Sequence, residues 1–151
     1  MKMIKVLAMV MALSLPMMAT AFTDDDQVAL SNALGNGDIA VVKKYLDSGV
    51  DINDTYFAWS ALQIAANHNQ VDMVKFLVEH GADINYAHPA TRMTALSMAA
   101  FNESNELVKY LISKGADVNI ELQNGATLIQ ALRNFDKNET ADLLVAAGAK
   151  E

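Results

Sequence analysis

Cysteine is absent from the 151-residue chain, so it offers no disulfide framework, no thiol nucleophile and no lipobox thiol to acylate, and the fold must rest on packing alone. Histidine is scarce. His68, His80 and His88 are the three present, and their spacings of 12 and 8 match no zinc-ligand pattern. The serines sit at helix starts and ends rather than in a glycine-flanked elbow, which leaves hydrolase chemistry without an anchor. The expectation is therefore a protein that is not an enzyme, with no catalytic residue, no metal and no cofactor. Asp24, Asp25 and Asp26 are consecutive, whereas a calcium loop places its oxygens at alternate positions around a glycine turn. Basic residues number 11 against 18 acidic ones, and the resulting charge of −7 repels phosphate backbones, which argues against nucleic acid as a partner. No apolar run reaches the roughly 20 residues that a membrane span requires.

What the chain does contain begins with its first 21 residues, MKMIKVLAMVMALSLPMMATA, ordered as basic, then apolar, then small. Lys2 and Lys5 precede an uncharged run from Val6 to Met18, and Ala19-Thr20-Ala21 closes the stretch. That order predicts a secretory signal peptide over 1–21, cleaved after Ala21, with a bacterial periplasmic or secreted destination for 22–151 and no stable membrane insertion of the mature chain. Six of the nine methionines leave with this leader, and the mature balance becomes 9 basic to 18 acidic residues. With 52% hydrophobic and 19% charged residues, the content is that of one globular domain.

A repeat search organises the remainder. AVVKKYLDSGVDIN, DMVKFLVEHGADIN, ELVKYLISKGADVN and TADLLVAAGAKE align on Gly49, Gly81, Gly115 and Gly148, spaced by 32, 34 and 33 residues. A second block recurs in register upstream: SALQIAA from Ser60, TALSMAA from Thr94 and TLIQALR from Thr127. A period of about 33 residues marks a stack of repeated supersecondary units. Within a unit, Ser60, Thr94 and Thr127 stand where a helix cap is wanted. Met73, Val74, Leu77 and Val78, and likewise Leu107, Val108, Leu111 and Ile112, recur at helical spacing in a second helix. Glycine follows that helix, and the turn residues of VDIN, ADIN and ADVN follow the glycine. Neither helix buries its stripe alone, so the units must stack. Tyr45, Phe76 and Tyr110 fall in the second-helix runs and are expected in the core.

These blocks resemble the ankyrin repeat family. Its pattern, roughly G-x-T-P-L-H-x-A-A followed by x-V-x-x-L-L-x-x-G-A-D-x-N, is matched by Gly125-Ala126-Thr127, by Thr94-Ala95-Leu96 with Ala99-Ala100, and by Gly81 to Asn85 with its equivalent Gly115 to Asn119. The resemblance covers nearly the whole mature chain. It implies an all-α solenoid of about four helix-turn-helix units, approximately 23–53, 54–87, 88–121 and 122–151, joined by β-hairpin-like fingers, with a concave face built from fingers and first helices. Two units depart from the pattern as terminal units should. The first opens on Thr23 followed by three aspartates, a cap with carboxylates in the first turn. The last replaces the aliphatic pair of its second helix with Thr140-Ala141, in keeping with a more polar outer face. The glycine expected two residues ahead of the cap is missing from the first two fingers, which should make finger shapes differ.

In this family the partner-contacting residues lie at the finger tips and just after the Ala-Ala pair of the first helix. By resemblance these are Tyr56, Phe57, Trp59, Asn67 and His68 in the second unit, His88, Thr91, Met93, Phe101 and Asn102 in the third, and Gln123, Asn124, Asn134 and Phe135 in the fourth. Five of the chain's ten aromatics stand at these positions, and large rings anchor protein interfaces. The finger rings have an alternative, which is to fold back onto the neighbouring finger. The expected function is a monomeric module that binds a protein partner. The rival readings are an accessory or protective factor for an envelope enzyme or stress system, and a small-molecule or metal binder using His68 and His88 with the rings.

Overall fold

The computed structural model describes residues 22–56 and 58–150; the leader assigned to 1–21 and the ring of Phe57 lie outside the described residues. Helices come in four successive pairs: α1 (Asp24–Asn36) with α2 (Ile39–Asp47), α3 (Ala61–Asn67) with α4 (Val71–Glu79), α5 (Ala95–Phe101) with α6 (Asn105–Ser113), and α7 (Leu128–Asn134) with α8 (Asn138–Ala146). The first helices form one row, in which α3 packs between α1 and α5 and α5 packs against α7. The second helices form another, with α4 against α6 and α6 against α8.

Each first helix starts on a reciprocal cap. The hydroxyls of Thr23, Ser60, Thr94 and Thr127 accept the backbone N–H groups of Asp26, Gln63, Ser97 and Gln130 at 3.2, 3.2, 3.3 and 3.2 Å. The side chains of those four residues accept in return from the cap's own N–H at 2.8 to 3.1 Å. Two backbone donors that the helix itself leaves orphaned are thereby satisfied at every start.

Close approach of the first helices rests on small side chains. Ala65, Ala66, Ala99 and Ala100 have no solvent exposure, and Leu62 and Leu96 fill the space beside them. From the second helices Met73, Val74, Leu77, Leu107, Val108 and Leu111 are buried, at about 1.5–3 kcal/mol each, while Val78 and Ile112 are half-buried. Tyr45, Phe76 and Tyr110 pack against the core from its margin rather than within it. Thr140 and Ala141 do not supply a polar outer face. Both point inward, at 1% and 0% exposure, and the Thr140 hydroxyl donates to Asn105 Oδ1 at 3.0 Å.

The three fingers differ as expected. The first is a two-stranded antiparallel ribbon of β1 (Thr55–Tyr56) and β2 (Trp59–Ser60), with Tyr56 opposite Trp59. The second closes through His88 N–H to the Met93 carbonyl at 2.9 Å and Arg92 N–H to the His88 carbonyl at 2.8 Å. The third carries a single bridge between Glu121 and Thr127. Where Gly125 holds φ 79° two residues before its cap, the equivalent positions are Ala58 at φ 69° and Arg92 at φ 60°. All three turns thus share one left-handed conformation, and two of them hold a Cβ in it.

The turn residues of VDIN, ADIN and ADVN do more than turn. Asn53 Oδ1 accepts the Asp83 N–H at 2.7 Å, Asn85 Oδ1 accepts the Asp117 N–H at 2.8 Å, and Asn119 Oδ1 accepts the Lys150 N–H at 3.0 Å. Within each unit the aspartate two residues earlier fixes the asparagine backbone, at 2.8 to 2.9 Å. Every unit therefore holds the next through one asparagine, which is nearest-neighbour coupling in its simplest form.

Candidate functional site

The fingers and the C-terminal ends of the first helices enclose two clefts that share Met93. The first, about 400 Å³, lies between Trp59 and Met93 on the fingers and Ile64, His68 and Met98 on α3, its C-cap and α5. The second, about 300 Å³, lies between Thr91, Gln123 and Asn124 on the fingers and Phe101 on α5. Next along the row Phe135 stands 67% exposed and meets Phe101 edge-on, with ring centroids 6.0 Å apart and planes at 81°. The rings lie at the separation and angle that aromatic pairs favour. No Asp, Glu, Lys or Arg lines either cleft.

Trp59 is positioned by the next finger. Its ring stacks on His88 with centroids 3.9 Å apart and planes 28° from parallel. His88 is itself held, since its Nδ1 accepts the N–H groups of Ala90 at 3.2 Å and Thr91 at 3.3 Å. Trp59 thus leans on its neighbour and still presents its other side to the cleft. Gln63, buried at 1%, ties the same finger to α3: its Nε2 donates to the Met93 carbonyl at 2.6 Å and to the Tyr86 carbonyl at 3.3 Å. His68 lies over α1, where a methyl group added at Gly35 would come within 3.3 Å of its Nε2.

Tyr56 corrects the expectation of display. It is 2% exposed and belongs to the core, because Phe22 stands ahead of the Thr23 cap and packs edge-on against both Tyr45 (6.0 Å) and Tyr56 (6.1 Å). Asn102 is exposed, but its amide already donates to the Asn67 carbonyl at 2.9 Å. Asn67, Gln123, Asn124 and Asn134 are exposed, while Thr91, Met93 and Phe101 are half-buried. Trp59, Asn67, His68 and Met93 come together at the first cleft, and Thr91, Met93, Phe101, Gln123 and Asn124 at the second. Ile64, Met98 and Leu122 also line this surface and were not singled out from the sequence. Their signal was available in retrospect. Ile64 lies one residue before the Ala65-Ala66 pair, and Met98 holds the same register before Ala99-Ala100.

Titratable groups with shifted pKa values lie away from the clefts. Burial pushes the Tyr56 phenol up to about 12, with Asp54 and Asp51 adding to the effect. Burial also raises Tyr45, assisted by Asp26, and raises Tyr110, assisted by Glu79. Asp26 is lowered, first by the Thr23 side chain and then by its backbone N–H, as the cap geometry requires. Among the described residues no group of three or more His, Cys, Asp or Glu side chains is placed to hold a metal ion. Nor is any described helix long and apolar enough to cross a membrane.

Paired helices, projecting fingers and asparagine-linked units define a helical-repeat solenoid. A family model of ankyrin repeats, three copies, matches residues 30–122. The chain belongs to the ankyrin repeat family. It is 33% identical over 66 residues to "Ankyrin repeat, SAM and basic leucine zipper domain-containing protein 1" of Atelerix albiventris, and 31% identical over 64 residues to the protein of that name in Mus musculus. These matches take in 43% and 42% of this chain but only 14% of each relative's length. The expected all-α ankyrin solenoid is the fold observed, and proteins of this family generally serve in protein–protein interaction.

Proposed function

We propose that this chain is an exported adaptor that captures a protein partner on the groove formed by its fingers and first helices, with no chemistry of its own. The observation that carries this reading is the pair of clefts that share Met93, with no charged residue in either lining, together with the Phe135 ring, 67% exposed and set edge-on against Phe101 of the second cleft. Large rings held by neighbours lose little entropy when a partner covers them, which suits them as anchors. Export is supported by the order of residues 1–21, basic then apolar then small.

The test is photo-crosslinking in the native envelope. A photoreactive residue at Asn134 or Phe135 captures protein, whereas one at Lys109, on the exposed side of α6, does not. Equal capture from both faces would overturn the site. Recovery of the chain from the cytoplasm with residues 1–21 intact would overturn the export.

A further inference from the structure

We propose that His88 is an acid-sensitive latch on the second finger: its neutral ring holds the tip closed beside Trp59, and protonation opens the tip and reshapes both clefts together.

The hydrogen bonds of the ring fix its proton. Backbone N–H groups can only donate, so a ring nitrogen that meets the N–H of Ala90 at 3.2 Å and of Thr91 at 3.3 Å must offer a bare lone pair. His88 is therefore neutral in the closed finger, with its one proton on Nε2. A second proton has only Nδ1 to go to. There it would turn an acceptor into a donor facing two donors, and both contacts would be lost. The Trp59 face attracts an imidazolium, but it offers those two N–H groups no acceptor.

The turn that the ring closes is strained and bounded. His88 also joins it through its backbone, to the Met93 carbonyl at 2.9 Å and from the Arg92 N–H at 2.8 Å, and Arg92 is held there at φ 60°, a conformation costly for a residue with a Cβ. The base of the finger is pinned separately. Gln63 Nε2 donates to the Met93 and Tyr86 carbonyls, and the Tyr86 hydroxyl donates to the Ala58 carbonyl, so opening is confined to the tip. Trp59, on which the ring stacks, lines the first cleft, and Thr91, whose N–H it holds, lines the second. One proton thus acts on both.

Nothing nearby compensates the charge. The first finger carries Asp51, Asp54 and Tyr56, the second Asp83, Tyr86 and Arg92, the third Asp117 and Glu121, and α3 ends on His68. Arg92 is taken up by Glu121 at 3.5 Å, Asp51, Asp83 and Asp117 accept the N–H groups of Asn53, Asn85 and Asn119, and Tyr56, with its pKa pushed up to about 12, stays neutral in acid. Among the described residues no carboxylate pairs with the His88 ring. The other histidines lose nothing on protonation. His80 Nδ1 faces the Phe76 carbonyl at 2.7 Å, which suits a donor, and the His68 ring accepts no hydrogen bond. The third finger closes its tip with the Asn124 amide oxygen, which accepts the Ala126 N–H at 3.1 Å and takes up no proton in this range.

The sign follows from proton counting. The open tip binds one proton more than the closed one, so it is favoured as pH falls, by up to about tenfold for each unit. Trp59, the one tryptophan in the chain, reports the tip by fluorescence, and amide hydrogen exchange at Ala90 and Thr91 reports the two bonds directly.

The purified chain is titrated between about pH 8 and pH 5, where histidine changes charge. Trp59 emission should follow a single-proton curve while far-ultraviolet circular dichroism stays constant, and the Ala90 and Thr91 amides should lose protection over the same range. His68→Gln, which removes the other titrating ring at the first cleft, should keep the response. His88→Asn should abolish it, because an asparagine Oδ1 can accept the same two N–H groups and gains no proton. A flat titration of the parent chain would overturn the proposal. So would an undiminished response in His88→Asn, its loss in His68→Gln, amides that stay protected while the emission changes, or helix loss coincident with the emission change.

Discussion

Replacing Ala58 by glycine should make the protein more stable. Ala58, Arg92 and Gly125 occupy one structural position, two residues before the caps Ser60, Thr94 and Thr127, at φ 69°, 60° and 79°. A residue with a Cβ costs roughly 1–2 kcal/mol in that left-handed region. Glycine gives back about 0.4–1 kcal/mol through the greater freedom of the unfolded chain, which leaves a net gain of about 0.5–1 kcal/mol for Ala58→Gly. The Ala58 side chain is exposed, and the bond at this residue, from the Tyr86 hydroxyl to the Ala58 carbonyl at 3.0 Å, uses only backbone and survives the change. Arg92→Gly gains less, because it also loses the exposed pair with Glu121, a contact in the class worth about 0–1 kcal/mol. Gly125→Ala is the converse. A Cβ there meets nothing within 4 Å, so the loss of about 0.5–1 kcal/mol reports the same balance of backbone strain against unfolded-chain freedom, with no steric clash added. Urea unfolding followed by far-ultraviolet circular dichroism reads these as midpoint shifts at constant slope. The double variant Ala58→Gly, Gly125→Ala should return close to the parent, since distant sites add. A destabilised Ala58→Gly beside an unaffected Gly125→Ala would refute the argument.

Further expectations concern the ties between units. Gln63→Leu removes the donor to the Met93 carbonyl and half of a capping box in a buried setting; a loss of about 2–3 kcal/mol in the same urea assay is expected. Asn85→Ala cuts the link to the Asp117 N–H, which water can replace, so the cost is about 0.5–1.5 kcal/mol and should appear as a broadened transition as neighbouring units uncouple. Tyr56 sets an alkaline limit. Its folded pKa, about 12, lies above the ordinary 10.0, so the unfolded chain releases its proton first as pH rises. The stabilisation is complete below about pH 10 and disappears toward about pH 12, a loss on the order of 2–3 kcal/mol, visible as tyrosinate absorbance rising together with unfolding.

The solenoid was legible because its signals are local and repeat. A hydroxyl at Ser60, Thr94 or Thr127 and an apolar stripe at Met73, Val74 and Leu77 each declare a helix within a few residues, and the register of glycines multiplies the signal. The candidate site was legible by position but not by posture. Nothing near Tyr56 says that Phe22 will cover it, because that contact depends on how the first helix enters the stack. Trp59 meets its partner His88 only through the next finger, and Gln63 reaches carbonyls more than twenty residues downstream. The aspartate and asparagine of VDIN, ADIN and ADVN read as turn formers, which they are. Their second role needs the neighbouring unit in place before the acceptor finds its N–H.

That second role bears on how such a chain can change length. In each link the acceptor side chain belongs to one unit and the donor is the backbone of the following unit, at the same register every time. A copied unit inserted between any two others would arrive with both halves of the connector and would need no compensating substitution at either junction. Growth by internal duplication is therefore neutral at this contact, and new groove can be added one unit at a time before any residue in it is selected for what it binds.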